Sequence, residues 1–344
     1  MQFRAVLAGC GAMSRGWLKA IAETPSLRER ITVVGLNDID AGAAHRLATE
    51  FGLGHAAVEP NLDALLGGTR PDLVFDVVIP KARHDVVATA LRHGCHVLSE
   101  KPLATSLEEG RDLVARAQTA GKVHAVVQNR RFNLGVRRIH ETLRKGALGT
   151  LNAIHCDFFV GAHFGGFREE MDHVLLVDMA IHTLDAARFI SGKSPLAVYC
   201  HEANPTSSWY ARDSVASAIF EFSDDVLFTY RGSWSAEGAN TSWDSSWRII
   251  GSKGTLLWDG EDGFSAHVVN GDEGFFRPLA AIEVSQPADS AQVHGHASVL
   301  LDFLDSIEAG RTPETATTDN INSLAMVFAA IESARTRQRV TITV

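Results

Sequence analysis

Side chains that can move protons stand at two places in the chain, at Lys101 and at the pair Asp178 and His182. Lys101 follows the apolar run 95–98, which predicts a buried strand closed by Pro102. Open α/β sheets hold their ligands at the carboxyl ends of the strands, and a confined lysine there can have a pKa low enough to exchange a proton. A solvated lysine in a surface turn is the alternative interpretation of this stretch.

Asp178 and His182 are four residues apart in the predicted helix 174–190, so they share one helix face, with Asp185 nearly on it. An aspartate beside an imidazole orients the ring and raises its basicity, which suits a general base that takes a proton from a hydroxyl group. A structural hydrogen bond in a core is the alternative. We predict no metal site. The alternative is a metal bound by this pair, with His155, His163 or His173 as extra ligands.

A glycine-containing loop between the first apolar run and the first predicted helix indicates dinucleotide binding. Its expected backbone contacts to a pyrophosphate are Gly9, Gly11, Ala12 and Met13. Ser14 replaces the third glycine of the usual pattern and is small enough for the same packing. Asp38 closes the second run, where a carboxylate meets the ribose hydroxyls of NAD and repels the 2′-phosphate of NADP, so NAD is favoured. The other predicted cofactor contacts are Pro80, His84, Glu100 and Lys101.

The pattern of elements predicts an α/β protein with two domains, residues 1–123 and 124–344. In the first domain, continuous apolar runs alternate with helical segments, which is typical of a parallel sheet covered on both faces. In the second domain, the runs 197–201, 215–222, 226–233, 246–251 and 255–258 predict a mostly antiparallel sheet. Two helices, at 296–308 and 319–336, and a strand at 340–344 close the chain.

Composition limits the partners and the compartment. The 344 residues carry a formal net charge of -9, which argues against nucleic acid, and no apolar run is long enough to span a membrane. The arginine pairs 130–131 and 137–138 predict a solvated helix face, and contact of one of them with a bound ligand is the alternative. Four dispersed cysteines without a CxxC motif, and an amino terminus unlike a signal peptide, indicate a reducing cytoplasm.

Three motifs follow one another in the chain: the glycine loop, the Glu100-Lys101-Pro102 stretch and the Asp178–His182–Asp185 series. In this order they resemble the glucose–fructose oxidoreductase / inositol dehydrogenase / rhizopine catabolism (Gfo/Idh/MocA) family. The resemblance extends over nearly the whole chain. Further segments that carry it are 96–103, 129–132, 146–149 and 332–334. Many members have a glycine-rich run before the aspartate, where this chain has the sequence MDHVLL at 171–176.

The resemblance implies an amino-terminal Rossmann domain and a carboxy-terminal α/β domain with a large, open-faced sheet. It implies NAD(P)-dependent oxidation or reduction of sugars, cyclitols or related polyols, with catalytic residues at Lys101, Asp178 and His182. We expect substrate contacts from His163, Arg168 and Trp247. Glycoside hydrolysis through transient oxidation by NAD, and a non-catalytic sugar sensor, are the alternatives on the same fold.

The second sheet also predicts assembly. Its strands 215–222 and 226–233 carry apolar residues expected on both faces, namely Ile219, Phe220, Phe222, Leu227, Phe228 and Tyr230. One face can pack on the helices of its own domain, and the other would expose a larger apolar patch than a monomer usually carries. The resemblance points the same way, so we expect a homodimer or homotetramer formed through this sheet.

Overall fold

A computed structural model describes residues 1–287, 289 and 292–344 of the chain. The chain forms two compact units. One holds Met1–Asn129 and His294–Leu324, and the other holds Arg130–Val293 and Ala325–Val344. The predicted domains 1–123 and 124–344 are continuous segments, whereas in the structure residues 294–324 return to the first unit.

The first unit is built on a parallel sheet with, among the described residues, six strands in the order β3-β2-β1-β4-β5-β6. The strands are β1 (Phe3–Ala8), β2 (Ile31–Asn37), β3 (Ala57–Val58), β4 (Leu73–Asp76), β5 (His96–Ser99) and β6 (His124–Val126). β1, β4 and β5 are buried almost throughout, as expected for strands covered on both faces. This confirms the predicted Rossmann-type sheet.

Helices connect these strands and several begin at a side-chain cap. They are α1 (Ala12–Glu23), α2 (Pro25–Arg30), α3 (Ala41–Glu50), α4 (Leu62–Thr69), α5 (Pro80–Arg92) and α6 (Leu107–Ala120). Asp40 caps α3 by accepting from the Gly42 N–H, and Ser106 caps α6 by accepting from the Glu109 N–H. Such caps fix where each helix begins relative to the loop at the carboxyl end of the preceding strand.

The second unit contains a sheet with, in the described part of the chain, nine strands in the order β14-β13-β12-β11-β7-β10-β9-β8-β15. The strands are β7 (Leu151–Phe159), β8 (Pro195–Ala203), β9 (Val215–Phe222), β10 (Leu227–Ser233), β11 (Ser246–Gly251), β12 (Gly254–Trp258), β13 (Phe264–Val269), β14 (Leu279–Ala281) and β15 (Val340–Thr341). β7 and β10 run parallel, and the other neighbours are antiparallel. The mostly antiparallel sheet is therefore confirmed.

The remaining helices of the chain belong to both units, and the helix His296–Ala309 lies in the first. They are α7 (Leu134–Arg144), a π-helix (Leu175–Ala180), α8 (Ile181–Ser191), α9 (His296–Ala309) and α10 (Thr317–Thr336), with 3₁₀ turns at Asn129–Phe132, Gly166–Glu170 and Ser223–Asp225. The division between the units falls within α10. No helix among the described residues is long and apolar enough to cross a membrane.

The predicted single helix 174–190 is a π-helix that continues into α8. The Ile181 N–H donates to the carbonyl of Leu176, five residues earlier, which is the bond that widens a helix into the π form. Single π turns are frequent at functional sites. This one contains Asp178 and directly precedes His182.

The two faces of the second sheet share the six predicted apolar residues unequally. Alternation along β9 and β10 buries the large side chains, Phe220, Phe222, Phe228 and Tyr230. The opposite face keeps only Ile219 and Leu227 of the six predicted residues, and these are 48% and 37% exposed. The open face is therefore mixed in polarity, with single apolar side chains between polar ones.

Candidate active site

The glycine loop joins β1 to α1 at the carboxyl edge of the parallel sheet. The Gly9 backbone has φ +92°, and a Cβ there would lie 2.6 Å from the Val77 carbonyl, so glycine is required for this close approach. A Cβ at Gly11, in contrast, would meet no atom within 4 Å. Ala12 and Met13 form the first turn of α1, whose amide groups face outward from the helix end. The loop thus combines a fixed backbone with open space at Gly11, which fits a pyrophosphate.

Asp38 lies just beyond β2 and is tied to the same loop. Its Oδ2 accepts a hydrogen bond from the Cys10 N–H at 2.7 Å, and its Oδ1 accepts from the Asp40 N–H at 2.9 Å. Each carboxylate oxygen retains a second lone pair, which a ribose hydroxyl could use. Burial, together with the charge of Asp38, raises the pKa of the Cys10 thiol to about 12, so this thiol remains protonated at neutral pH.

Glu100 and Lys101 follow β5 at the same edge, and the Glu100 carboxylate is held by its surroundings. Its Oε1 accepts from the Trp17 indole N–H at 2.7 Å, and the His296 Nε2 lies 3.6 Å away. Burial alone would raise the pKa of Glu100, but the nearby His296, the hydrogen bond from Trp17 and the charge of Lys101 lower it below its ordinary value. Glu100 is thus an ionised anchor next to Lys101. The sequence analysis identified neither Trp17 nor His296.

A buried arginine fixes the segment after Lys101. Arg83 on α5 is 1% exposed; its Nε donates to Asp76 at 2.8 Å, and its Nη1 donates to the carbonyl of Pro102. The Lys101–Pro102 peptide bond is cis. Because Asp76 ends β4 and Pro102 follows β5, this one side chain holds the ends of two neighbouring strands. Nothing in the local sequence distinguishes Arg83 from a surface arginine of an amphipathic helix.

Pro80 and His84 belong to the first turns of α5. Pro80 occupies the first helical position, where its fixed φ and missing N–H are favourable. His84 contacts Asp112 on α6, with its Nε2 2.7 Å from the carboxylate Oδ2. Burial lowers the pKa of His84, but the hydrogen bonds to Asp112 and Asp85 outweigh it, so the net change is upward. The structure thus accounts for His84 through its carboxylate partner, and its contact to a cofactor stays a prediction.

In the second unit, Asp178 forms an ion pair with Arg168. The Arg168 Nε lies 3.1 Å from Oδ2 of Asp178, and the Asp178 side chain is 12% exposed. The guanidinium also lies 5.1 Å from the ring centroids of Phe164 and Phe167. The structure therefore brings a predicted substrate contact, Arg168, together with a predicted catalytic residue.

His182 lines a small cavity of about 10 Å³, whose other walls are apolar, aromatic and charged. Trp247, a predicted substrate contact, borders the same cavity, and its indole N–H donates to the Asp244 carbonyl at 2.8 Å. The Asp244 carboxylate pairs with Arg130 and accepts from the Asn133 amide at 2.7 Å. Burial lowers the pKa of Arg130 to about 10. Asp244 was not identified from the sequence, because it lies in a loop with no motif around it.

His163 lies on the loop that precedes the π-helix, and its ring is packed against Trp209. The two rings stack at 3.7 Å, and the His163 Nε2 contacts Glu237 at 2.8 Å. Tyr210 supports the loop, since its hydroxyl donates to the carbonyl of Ala162 at 2.8 Å. His163 is thus held at the surface by an aromatic partner and a carboxylate, and its contact to a substrate stays a prediction.

The arginine pairs are not a solvated face. Arg131 and Arg137 are only 5% and 7% exposed. Arg131 forms two hydrogen bonds with the buried Asp185, at 2.7 and 2.8 Å, and the Arg137 guanidinium lies 4.6 Å from the ring centroid of Phe189. Buried guanidinium groups need such partners. Asp185 therefore has a structural role as the buried partner of Arg131.

Comparison with known proteins identifies both units. Residues 3–128 match a model described as an oxidoreductase family with an NAD-binding Rossmann fold, and residues 136–257 match the GFO/IDH/MocA C-terminal domain. The D-apiose dehydrogenase of Paraburkholderia graminis is 26% identical over 347 residues, which cover 97% of this chain and 88% of that protein.

Two solved structures share the fold along the whole length. An oxidoreductase from Agrobacterium radiobacter, in complex with NAD⁺, L-tartaric acid and magnesium, has a TM-score of 0.85 at 20% identity, with 99% of each chain covered. A levoglucosan dehydrogenase in complex with NADH and levoglucosan has a TM-score of 0.84 at 17% identity, with 100% of each chain covered. Because the two family matches together extend over most of the sequence, the chain belongs to the Gfo/Idh/MocA family of oxidoreductases and carries its NAD-binding Rossmann domain.

Proposed function

We propose that the protein oxidises a secondary alcohol of a sugar, cyclitol or related polyol, with NAD as the hydride acceptor. The observation that carries this proposal is the arrangement around Asp178. Arg168, paired with Asp178, and the exposed rings of Phe164 and Phe167 beside its guanidinium provide donors, acceptors and aromatic surface, which a hydroxylated ring requires. The named relatives that act on sugars support the same substrate class.

Lys101, Asp178 and His182 are the proposed catalytic residues. His182 takes the hydroxyl proton on an imidazole nitrogen as the carbinol hydrogen leaves as hydride, and Lys101 holds the substrate oxygen. Asp178 favours the protonated imidazole through its negative charge, since it lies four residues earlier on the same helical segment. Bound NAD supplies the nicotinamide carbon that accepts the hydride.

The proposed NAD contacts are the loop and the strand ends around it. Gly9, Gly11, Ala12 and Met13 would face the pyrophosphate, and Asp38 would hold the ribose hydroxyls. Met13, Ile39 and Ile79 are exposed by 48%, 98% and 64% beyond the carboxyl ends of β1, β2 and β4. Exposed apolar side chains at one edge of a sheet suit the flat faces of a dinucleotide.

A screen of sugars and cyclitols with NAD tests the proposal. We expect steady NADH formation with at least one polyol, followed by absorbance. Lys101→Ala and His182→Ala should each lower kcat by about 10²–10⁴-fold, because general acid–base catalysis contributes that much, while the Kd for NADH stays unchanged in His182→Ala. Near wild-type turnover in both variants would place the chemistry elsewhere. Glycoside cleavage without net NADH, or sugar binding without turnover, would support the alternative functions instead.

We further infer a homodimer or homotetramer formed through the open face of the second sheet, and a cytoplasmic location. The assembly is supported by the exposed apolar side chains on that face, Leu196, Tyr199, Ile219, Leu227 and Leu257. The location is supported by the four cysteines, which are all buried and free. The net charge of -9 supports a small-molecule substrate over nucleic acid.

A further inference from the structure

Three potential metal ligands come together in the second unit, outside the candidate active site. One ligand atom from each of His173, Glu202 and Asp213 lies within 4.8 Å of the other two. The His173 Nδ1 is 2.8 Å from Oε2 of Glu202 and 3.4 Å from Oδ2 of Asp213. In the part of the chain that the structure describes, this is the only group of three such side chains at this spacing.

Glu202 provides an independent sign that a ligand belongs here. Its side chain is only 5% exposed, and its second carboxylate oxygen, Oε1, is buried without a hydrogen-bond partner. A buried carboxylate oxygen without a donor is unfavourable, and a cation is the partner that would satisfy it best. Burial raises the pKa of Glu202, whereas the Glu202 hydrogen bond raises the pKa of His173 against the opposing effect of burial.

The elements explain why these residues meet. Glu202 is near the end of β8, and Asp213 lies just before β9, the neighbouring strand, where Glu202 is opposite Ala216. His173 lies two residues before the π-helix, and the carbonyl of His173 accepts from the Val177 N–H at 3.0 Å. The site would therefore connect the end of a strand pair to the beginning of the helical segment that carries Asp178.

The geometry suits a small divalent transition-metal ion. Imidazole nitrogen and carboxylate oxygen bind zinc at about 2.0–2.2 Å, which separates the ligand atoms of a tetrahedral site by roughly 3.4 Å. The 3.4 Å between His173 and Asp213 already has this value, and small side-chain rotations would adjust the other two separations. The side chains of His173 and Asp213 are partly exposed, at 34% and 31%, which leaves room for a water as the fourth ligand.

We propose that His173, Glu202 and Asp213 bind a divalent transition-metal ion of the zinc class, which fixes the segment before the π-helix. The proposal revises the sequence-based expectation of no metal site. The ion has a structural role in this proposal, and its ligands are far from the glycine loop in sequence. The proposal does not depend on the identity of the substrate. The alternative is a metal-free cluster in which a protonated His173 is paired with the two carboxylates.

Metal titration of the full chain tests the proposal. After treatment with a chelator, the wild-type protein is titrated with ZnCl₂ by calorimetry, and with Co²⁺ by visible absorption, which reports tetrahedral coordination. We expect one site per chain and a Tm that rises with zinc. Glu202→Gln and Asp213→Asn, which keep the side-chain shapes, should each weaken binding at least as much as the roughly 10–100-fold caused by changes around a metal's ligands.

His93→Ala is the matched control. His93 contacts a carboxylate at a similar distance, 2.9 Å from Asp63, but no third ligand accompanies this pair among the described residues. Its replacement should leave the site intact. Absence of one-site binding in the wild type would overturn the proposal in favour of the ion-paired cluster. Unchanged affinity in Glu202→Gln and Asp213→Asn, or equal loss in His93→Ala, would also overturn it. Should Glu202→Gln fail to fold, Asp213→Asn alone decides, because the Asp213 side chain is 31% exposed and lies outside the strands.

Discussion

At the scale of single residues, similar carboxylates have different roles because their surroundings differ. Asp178 and Asp185 lie on one helical segment, seven residues apart. Asp178 is partly exposed and pairs with Arg168, whereas Asp185 is fully buried and is held by two hydrogen bonds from Arg131. The spacing places both carboxylates on similar faces of the segment. The candidate catalytic group, Asp178, therefore differs from the structural one, Asp185, only in its burial.

This difference predicts opposite effects of two matched substitutions. Asp185→Asn leaves the buried Arg131 without its counter-charge and should lower the free energy of unfolding by about 3–5 kcal/mol. Asp178→Asn should change stability much less but lower kcat by about 10²-fold or more, because the imidazole loses its carboxylate. Urea unfolding and turnover of the two variants check this. A stable Asp185→Asn or a fully active Asp178→Asn would contradict the assignment.

Asp38 makes a second prediction at the residue scale, which concerns the choice of cofactor. The wild-type protein should have a higher kcat/KM with NAD than with NADP, because this carboxylate repels a 2′-phosphate. Asp38→Asn should shift the ratio toward NADP by about tenfold, or about 1.4 kcal/mol. The neighbouring carboxylate of Asp40, which caps α3, provides the control Asp40→Asn. An equal shift in both variants, or a wild-type preference for NADP, would refute the role of Asp38.

At the scale of elements, the loop between β1 and α1 separates a structural glycine from a functional one. Gly9→Ala forces a positive φ on alanine, which costs about 1–3 kcal/mol, and brings its Cβ to 2.6 Å from a backbone carbonyl. Gly11→Ala meets no protein atom and keeps an ordinary φ of -78°, so stability should stay the same or rise slightly. Its methyl group would, however, occupy space proposed for the pyrophosphate.

We therefore expect Gly9→Ala to unfold at lower urea concentration, and Gly11→Ala to fold normally but bind NADH at least about tenfold more weakly, a loss of about 1.4 kcal/mol. Fluorescence titration with NADH and urea unfolding measure the two effects. Unchanged NADH affinity in Gly11→Ala would show that the dinucleotide does not pass over this loop.

The sequence predicted those helices and strands that are determined by a residue pattern within one short segment. The buried strands β1, β4 and β5 are continuous apolar runs, and the caps of α3 and α6 are polar residues at their usual positions. The helical face predicted at arginines 137 and 138 lies on α7 (Leu134–Arg144), but it is not solvated, because Arg137 is buried against aromatic rings. The π form of the segment at Asp178 was missed, since no residue-level pattern separates it from an α-helix.

The candidate site shows the same limit. Lys101, Asp178 and His182 are found through spacing and motif, but Trp17, Arg83 and Asp244 become visible only when the fold brings distant segments together. Arg83 contacts the carbonyl of Pro102, nineteen residues away, and Asp244 accepts from Asn133, which is 111 residues away. Sequence periodicity carries no information about such pairs, because each partner is ordinary in its own segment.

At the scale of the whole molecule, each unit has a surface on which apolar side chains are exposed to solvent. In the first unit it is the carboxyl edge of the parallel sheet, with the exposed Met13, Ile39 and Ile79. In the second it is the open sheet face, where apolar side chains alternate with paired charges such as Arg231 and Asp157, at 2.7 and 2.6 Å. A face of this mixed kind suits a symmetric contact with a second copy.

The assembly proposal gives the last prediction. The wild-type protein should sediment as a dimer or tetramer at micromolar concentration. Ile219→Glu combined with Leu227→Glu places two charges on the open face without disturbing the core, because both side chains point outward. Burying those charges at a symmetric interface would be unfavourable, so the double variant should sediment as a monomer with an unchanged far-UV spectrum. Phe275→Glu is the control, since this residue is 95% exposed and lies outside the strands of the sheet. A wild-type monomer would refute the assembly, and an oligomeric double variant would place the interface on another surface.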